Sequence, residues 1–296
     1  MTDSAEASDA RLIDLHSHTN ASDGTFSPAE LVLSAKRRGL SALAITDHDT
    51  FAGYEEALPV ARAEEFELIR GIELNSRLRM GNKREQYVHL LAYWPGEEPT
   101  NEFNAWLEEE REDRRNRNQR LAEALGARGV EITLEEVEAR GRSLAGRPHF
   151  ARILVEKGYA EDNEDAFQKY LGESAPSYVE RQSAPAEKVI QKVRKGGGFP
   201  VVAHPVRLAM DRDQEREVLM RLRAAGLLGL EIYHSEHSPA LQAHYRQLAE
   251  EIGLLPTGGS DFHGAVKPDV ELGAGRNGNV RVPFEFLERM RETRTI

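Results

Sequence analysis

Short clusters of histidine and carboxylate residues recur along the chain, and most of them directly follow an apolar, β-branched run. Their members are His16, His18, Asp23, Asp47, His48, Asp49, Glu73, His204, Asp261 and His263. Imidazole and carboxylate groups are ligands that Zn, Mn, Fe and Mg take in proteins. The clusters therefore predict one site that holds several metal ions, rather than polar residues scattered over the surface.

The spacing within two of the clusters suits a metal ion. His16 and His18 are two residues apart, so both imidazoles project from the same side of an extended chain. Asp261 and His263 repeat this spacing after two glycines, which let the backbone approach a site closely. His16 and His18 can therefore bind one ion together.

Three other candidates depend on their surroundings in the sequence. Asp47 could simply cap the helix that follows it, and His89, in the middle of an apolar stretch, could be a core histidine. Glu73 ends an apolar run, where an unpaired carboxylate is costly to bury. A cation partner is therefore expected for Glu73, which could bridge two ions.

Composition limits the class of protein. The chain has 296 residues, enough for one large α/β domain or two smaller ones, and a formal net charge of -11. That charge argues against binding long nucleic acid by bulk electrostatics, which needs a broad basic surface. With no cysteine in the chain, no thiolate can bind a metal. Neither a secretory leader nor an apolar run of membrane-spanning length is recognisable, so we expect a cytoplasmic protein without membrane attachment.

One basic island interrupts this acidic chain. Residues 111–120, REDRRNRNQR, hold five arginines against one glutamate and one aspartate. An anion could be recognised there, but a solvated helix face with ion pairs between residues four apart would look the same. Arg114 and Arg117 are three residues apart and would share one helix face.

Strands and helices alternate over most of the chain, and the metal-type residues follow the strands. Strands are predicted over residues 11–15, 40–46, 66–74, 87–94, 199–203, 227–232 and 254–257. Helices separate most of them, which favours parallel strands that close into a barrel. The ligand clusters then share one rim, and an open sheet would gather the same loops at its carboxyl edge.

Between residues 100 and 180 the alternation stops and only helical patterns remain. Helices are predicted there over residues 102–125, 133–139, 148–157 and 163–171. We therefore expect a barrel domain of residues 1–99 and 181–296, which carries the metal site. Residues 100–180 are expected to form a helical insert domain that recognises the substrate.

The ordered clusters resemble those of the polymerase and histidinol phosphatase (PHP) superfamily of metal-dependent phosphoesterases. The matching segments are DLHSHTNASDGTFSP, AITDHD, GIE, HLLAY, VVAHP and GSDFHG, which cover residues 12–95 and 184–270. The resemblance implies an α/β fold, a distorted (β/α)7 barrel of the TIM type. It also implies a centre of up to three divalent metal ions, with Mn expected and Zn, Fe or Mg as alternatives.

The same resemblance implies how nine ligands are shared among the ions. The first ion would take His16, His18, Glu73 and Asp261, the second Glu73, His89 and His204, and the third Asp23, His48 and His263. All nine positions are filled in this sequence, so His89 becomes an expected ligand. Divalent ions lower the pKa of bound water and clamp phosphoryl oxygens, so no protein nucleophile is needed. Asp261, His48 and Asp23 are the expected catalytic residues.

The segment GRPHFAR, residues 146–152, opens a predicted helix whose N-terminus lies beside Arg147 and His149 and is a candidate anion site. Arg114 and Arg117 could form its other wall, which completes the predicted substrate-binding set. With the helical insert, this segment resembles the PHP subgroup of nucleoside 3',5'-bisphosphate phosphatases, which is similar to the exoribonuclease RNase AM.

That resemblance implies both substrate and product. The insert would hold a 5'-phosphate while the 3'-phosphate is hydrolysed, as in adenosine 3',5'-bisphosphate, to give a nucleoside 5'-monophosphate. A short RNA with a 5'-phosphate presents the same group, so 5'-to-3' exoribonuclease action is expected too, and no obligate protein partner is expected. A phosphatase of the histidinol phosphatase type and a non-catalytic nucleotide-binding PHP module are the alternatives. His234, His237 and His244 receive no assigned role. His234, at the end of a predicted strand, could touch the substrate, but solvent-facing positions would explain all three histidines equally well.

Overall fold

Eight strands and ten α-helices form within the parts of the chain that the computed structural model describes, residues 11–79, 85–142, 145–181 and 183–294. The strands are β1 (Leu12–Asp14), β2 (Ala42–Ile45), β3 (Glu67–Leu78), β4 (Gln86–Trp94), β5 (Phe199–Val202), β6 (Gly229–Tyr233), β7 (Leu255–Gly258) and β8 (Val282–Pro283). The helices that alternate with them are α1 (Pro28–Arg37), α2 (Ala52–Ala63), α7 (Ala186–Lys195), α8 (Arg212–Ala224), α9 (Pro239–Ile252) and α10 (Glu285–Arg294).

A block of helices connects β4 to β5. It consists of α3 (Asn101–Gly126), α4 (Leu134–Gly141), α5 (Arg147–Glu156) and α6 (Asn163–Ala166), which continues into a π-helix, Phe167–Leu171. None of the helices in the described ranges combines the length and the apolar character needed to cross a membrane.

The strands form one sheet in the order β7-β6-β5-β4-β3-β2-β1-β8. Strands β1 to β3 are parallel to one another, and so are β5 to β7. The sheet curls until the segment after β1 meets the segment after β7. Leu15 N donates to Gly258 O over 3.2 Å, and His18 N donates to Phe262 O over 2.9 Å. The result is the nearly closed α/β barrel that the sequence predicted.

Two features of the sheet differ from the prediction of seven parallel strands. Strand β4 is antiparallel to both β3 and β5. Only seven residues separate β3 from β4, too few for the crossover helix that parallel neighbours need. An eighth strand, β8, pairs antiparallel with β1. With two residues it is too short to show a hydrophobic period.

The reversal of β4 decides where the helical block begins. Since β4 runs against β1 to β3, it ends at the opposite end of the barrel from the rim that carries the ligand clusters. Trp94 Nε1 donates to Gly196 O over 2.7 Å at that end. Helix α3 has 26 residues and is therefore about 39 Å long. This length lets the chain return along the barrel to the opposite rim.

Helix α3 joins two apolar cores. Its first turns pack Phe103 and Trp106 in the main core, and its last turns pack Leu121 and Leu125 in a second core with residues of α5. The buried face of α3 continues between these two regions through Arg114 and Arg117. The helix thereby fixes two arginines where the barrel and the helical block meet.

Closure of the barrel depends on a close backbone approach at Gly259. Its N–H donates to Tyr233 O over 2.9 Å, which attaches the end of β7 to β6. A Cβ atom added at Gly259 would lie 2.2 Å from His16 N, far inside van der Waals contact. The glycine is therefore required where the His16 and Asp261 segments meet.

Replacing Gly259 by alanine should lower the free energy of unfolding by about 1–3 kcal/mol, because the methyl group overlaps backbone that cannot move without opening the barrel. Gly126→Ala is the matched control, since a Cβ atom there meets nothing within 4 Å. That change should leave the stability within about 1 kcal/mol of the original. Urea unfolding followed by circular dichroism measures both, and equal stabilities would contradict the close approach.

Candidate active site

The nine residues predicted as metal ligands converge at the rim formed by the carboxyl ends of the parallel strands. Eight of them belong to overlapping groups whose ligand atoms lie within 4.8 Å of one another. The ninth is His204, whose Nε2 lies 2.9 Å from Glu73 Oε1. Residues as far apart in sequence as 16 and 263 therefore face one small volume.

Glu73 lies at the centre of this cluster and is 1% exposed. Its Oε2 atom lies 3.4, 3.1 and 3.3 Å from ring nitrogens of His16, His18 and His48 respectively. Its Oε1 atom lies 2.7 Å from His89 Nδ1, on the side that also faces His204. The two carboxylate oxygens thus face different histidines, which is the arrangement a bridging ligand requires.

Burial alone would raise the pKa of Glu73, but the facing histidines His48, His89 and His16 hold it well below its ordinary value. Burial also raises the pKa of Asp23 and Asp261, but His263 beside Asp23 and Lys267 beside Asp261 lower it well below the usual range. Three carboxylates of the cluster are consequently ionised, and negative charge that is largely removed from water favours bound cations.

Unsatisfied ring nitrogens test whether these residues fit metal ions. Among the described residues, His16 Nε2, His18 Nε2 and His48 Nδ1 are buried and have no hydrogen-bond partner. Burying such a nitrogen costs free energy unless a hydrogen-bond partner or a metal ion contacts it. A donor set of imidazoles and carboxylates without thiolates suits divalent ions such as Zn, Mn, Fe or Mg. The residues therefore fit divalent metals.

Two of the histidines are held in the form that binds metal. Burial lowers the pKa of His48 to about 4 and that of His204 to about 3. Both imidazoles are therefore neutral at pH 7, and a metal ion need not displace a proton from either of them.

The antiparallel direction of β4 explains why His89 looked like a core residue in the sequence. His89 is opposite Asn75, two residues beyond Glu73 in the neighbouring strand. Because β4 runs in reverse, its first half, not its end, lies at the rim. His89, in the middle of the apolar strand β4, therefore lies beside Glu73 in β3.

Strained backbone marks the turns that present several of these residues. Asp49, His204 and Asp261 have φ values of 47°, 28° and 56°, in the left-handed region that non-glycine residues rarely adopt. They follow β2, β5 and β7, where the chain must turn sharply from strand to loop. Strain of this kind persists where surrounding contacts hold it, and it is common at functional sites.

Sequence reasoning missed Glu231, which is fully buried in β6. Its Oε1 lies 2.8 Å from His16 Nδ1, and its Oε2 accepts a hydrogen bond from His204 N over 2.5 Å. Burial would raise its pKa, but His16 and His234 lower it to about 2. The signal was present: like Glu73, Glu231 is a carboxylate inside an apolar strand.

Of the two explanations for His234, the solvent-facing one is wrong, and it is also wrong for His237, since both side chains are fully buried. His234 Nε2 lies 3.3 Å from Asp261 Oδ2. His237 Nδ1 lies 2.7 Å from Ile232 O, a structural contact. His244, outside the cluster, lies 2.7 Å from Glu215 on α8. Only His234 therefore joins the candidate site.

A cavity of about 220 Å³ opens directly beside Asp23, His48 and His89, and guanidinium groups from the helical block line its other side. We call it the arginine cavity; its arginines are Arg114, Arg117, Arg147 and Arg181. The first three were predicted to bind substrate. Arg181 was not, because a single arginine between segments carries no sequence pattern.

The arginine cavity holds more positive than negative charge. Asp49, behind its wall, pairs with Arg114 and lies 2.8 Å from Arg181. Among the described residues Arg117 forms no ion pair, and burial together with neighbouring guanidinium groups pushes its pKa well below the ordinary value. Arg147 donates to Leu171 O over 3.3 Å, a neutral backbone acceptor. A bound anion would relieve this repulsion.

His149 also lines the arginine cavity, but it has a local bond as well. Its Nδ1 accepts a hydrogen bond from Gly146 N over 3.1 Å, which satisfies one amide at the start of α5. Burial lowers its pKa, so the ring is neutral at pH 7. Two other arginines of the basic island form ion pairs on the surface, Arg111 with Glu108 at 2.8 Å and Arg115 with Glu138 at 2.7 Å. The arginines of the island therefore divide into two that line the cavity, Arg114 and Arg117, and others that lie on the surface.

Known proteins are similar to this chain in sequence and in fold. Residues 14–184 match the PHP domain. The 3',5'-nucleoside bisphosphate phosphatase of Chromobacterium violaceum is 32% identical over 254 residues, 85% of this chain and 87% of that protein. The 5'-3' exoribonuclease Rnm of Escherichia coli is 33% identical over 277 residues, 89% of each.

Solved structures agree with these relatives. The structure of a protein from Bifidobacterium adolescentis, described as a metal-dependent phosphoesterase, superimposes with a TM-score of 0.79 at 32% identity and covers 95% of this chain and 96% of that one. An amidohydrolase from Chromobacterium violaceum, with bound sulfate and no metal, gives a TM-score of 0.78 at 30% identity, with the same coverage. The chain therefore belongs to the PHP domain family.

Proposed function

We propose that this chain is a metal-dependent phosphoesterase that hydrolyses the 3'-phosphate of nucleoside 3',5'-bisphosphates. The products are a nucleoside 5'-monophosphate and phosphate. The observation that carries the proposal is the contact between two features: the arginine cavity opens onto three residues of the ligand cluster, Asp23, His48 and His89. Relatives named as a bisphosphate phosphatase and as 5'-3' exoribonucleases match most of the chain, which supports it.

The ligand cluster would hold up to three divalent ions, with Mn the first choice. We assign His16, His18, Glu73 and Asp261 to one ion, Glu73, His89 and His204 to a second, and Asp23, His48 and His263 to a third. When bound, such ions supply Lewis-acid activation of water and of the phosphoryl group. The overlap of the four residue groups around Glu73 supports this sharing of ligands.

Asp261, His48 and Asp23 are the proposed catalytic residues because they line a second cavity, of about 380 Å³, beside Glu73. This cavity and the arginine cavity have five residues in common, namely Asp23, His48, His89, Pro148 and Phe167. One nucleotide can therefore place a 5'-phosphate among the arginines and its 3'-phosphate against the ligand cluster. Guanidinium groups bind the dianionic 5'-phosphate and orient the ribose.

The same reaction can act on RNA, because it needs no further protein side chain. Water attacks the 3'-phosphorus, the bond from phosphorus to the ribose O3' breaks, and O3' takes a proton. In an RNA the departing nucleotide is a 5'-monophosphate, and the remaining chain keeps the phosphate as its new 5' end. A short 5'-phosphorylated RNA is therefore a second proposed substrate, shortened from the 5' end.

The two alternative functions find less support. The ammonium group of an amino alcohol phosphate, such as histidinol phosphate, would be repelled by Arg117, which has no ion pair among the described residues. A non-catalytic nucleotide-binding module would not need nine converging ligands around a bridging glutamate.

Purified protein loaded with Mn should release phosphate from adenosine 3',5'-bisphosphate and yield AMP, because the substrate spans both cavities. Excess chelator should abolish the activity, and added Mn should restore it. A substrate panel measured by phosphate release and chromatography would include 5'-phosphorylated RNA, its 5'-hydroxyl counterpart and histidinol phosphate. Turnover of histidinol phosphate alone would overturn the proposed substrate.

Asp261→Asn should lower kcat/KM for the bisphosphate by more than about a hundredfold, since residues that only orient metal ligands already contribute about 10- to 100-fold. The variant should also bind less Mn in elemental analysis. Asp269→Asn, an exposed aspartate paired with Arg276, is the control and should retain full activity. Full activity of Asp261→Asn would contradict its assignment.

Arg117→Gln should raise KM for adenosine 3',5'-bisphosphate by about tenfold to a hundredfold, because a hydrogen bond to a charged group contributes about 1.5–3 kcal/mol. For adenosine 3'-monophosphate, which lacks the 5'-phosphate, KM should stay nearly constant. Arg120→Gln, on the exposed face of the same helix, should affect neither substrate. Equal losses on both substrates would show that Arg117 does not recognise the 5'-phosphate.

A further inference from the structure

We infer that Asp49 is a positioning residue that holds Arg114 and Arg181 at a fixed distance from the ligand cluster, and so selects substrates whose two phosphates are one ribose apart. The inference rests on the proposed function, because it names the residue that would set the substrate specificity of the proposed reaction. Asp49 does not line either cavity. It acts through the two arginines that line the arginine cavity.

The carboxylate of Asp49 is fully engaged. It is 1% exposed, and it accepts hydrogen bonds from both Arg114 and Arg181. On its other side it accepts from Asn75 N and from Asn75 Nδ2, each over 3.2 Å. Asp49 therefore links two guanidinium groups to strand β3.

The backbone of Asp49 is attached to the ligand cluster itself. Its N–H donates to Glu73 O over 3.0 Å, and it directly follows His48. Its φ of 47° lies in the left-handed region, a strained conformation that these bonds maintain. Any movement of Asp49 would therefore be transmitted to Glu73 or His48 on one side and to the arginines on the other.

The two arginines come from opposite ends of the helical block. Arg114 lies on α3, which leaves the barrel, and Arg181 lies where the chain returns to it. Arg181 Nη2 also donates to Glu110 O on α3, over 3.3 Å. The buried carboxylate of Asp49 thus bonds to both the first and the last part of the helical block, and Asp49 lies in the loop that carries His48. Without it, two like charges would lie side by side and would move apart.

The negative charge of Asp49 and its bonds to the two arginines predict opposite effects of its replacement on phosphate affinity. Removing a negative charge behind a cationic cavity would tighten binding of a phosphate if only the local potential mattered. Losing the shared anchor of two guanidinium groups would weaken binding if their placement mattered. The sign of the change in affinity therefore separates the two roles.

The first measurement is the affinity of Mn-loaded protein for AMP, the proposed product, by isothermal titration calorimetry. Asp49→Asn should raise the Kd by on the order of tenfold or more, because hydrogen bonds between charged groups are lost. The matched control is Glu110→Gln, which removes a negative charge 3.6 Å from Arg181 but keeps the Asp49 anchor. It should leave the Kd nearly constant or lower it, and tighter binding in both variants would overturn the inference.

The second measurement separates positioning from damage to the ligand cluster. In Asp49→Asn, kcat/KM for adenosine 3',5'-bisphosphate should fall about tenfold, and kcat/KM for p-nitrophenyl phosphate should change less than about twofold. An equal fall for both substrates would make Asp49 a structural support of His48 and would overturn the inference.

Two further variants keep the inference testable if Asp49→Asn does not fold. Arg181→Lys retains the positive charge but not the planar pair of donors, and it should also raise the Kd for AMP. In a folded Asp49→Asn/Arg181→Gln double variant, the loss should be smaller than the sum of the single losses, since both residues act through one contact. Additive losses, or an unchanged Kd in Arg181→Lys, would count against it.

These outcomes remain distinct from failure of the proposed function. If the parent protein binds AMP but releases no phosphate from the bisphosphate, the proposed reaction is wrong, and the effect of Asp49→Asn on AMP binding still tests the anchor. If the parent protein hydrolyses the bisphosphate and Asp49→Asn binds AMP normally, the reaction stands and the anchor is wrong.

Discussion

The structure depends on one electrostatic constraint: several buried carboxylates and imidazoles face one another, and three of the ring nitrogens have no hydrogen-bond partner among the described residues. Glu73 is the centre of this arrangement, with histidines at 2.7–3.4 Å from its two oxygens. Buried charge and unpaired ring nitrogens are costly in a folded protein, so the arrangement is stable only if cations share it. The strained turns at Asp49, His204 and Asp261 lie where the barrel presents these groups.

The barrel brings these groups together because it places the ends of its strands side by side. Parallel strands place their carboxyl ends on one rim, and the contact between the His16 segment and the Asp261 segment closes the circle. Strand β4 is the exception, and its reversal has two consequences. It brings His89 to the rim from inside a strand, and it sends the chain to the far end of the barrel, from which α3 must return.

The return of α3 places positive charge beside the negative cluster. Arg114 and Arg117 lie on the buried face of α3 between two apolar cores, so packing on both sides fixes their position. Arg181 reaches the same cavity from the end of the helical block. The proposed substrate, a nucleotide with two phosphates, matches this division of charge, because one phosphate would face the arginines and the other the ligand cluster.

The sequence by itself predicted seven of the eight strands, the helical block and nine residues that converge in the ligand cluster, because hydrophobic period and polar residues at strand ends are local signals. It could not determine the direction of β4, the role of Glu231 or the position of Arg181, since each depends on neighbours that are distant in the chain. The contacts of Glu231 with His16 and with His204 N form only because β6 lies beside β5 in the barrel. Asp49, which the sequence shows as one more acid beside His48, bonds two arginines only because α3 and the end of the helical block fold over it. Tertiary structure alone decides such pairings, because a hydrogen bond or an ion pair depends on distance in space and not on separation along the chain.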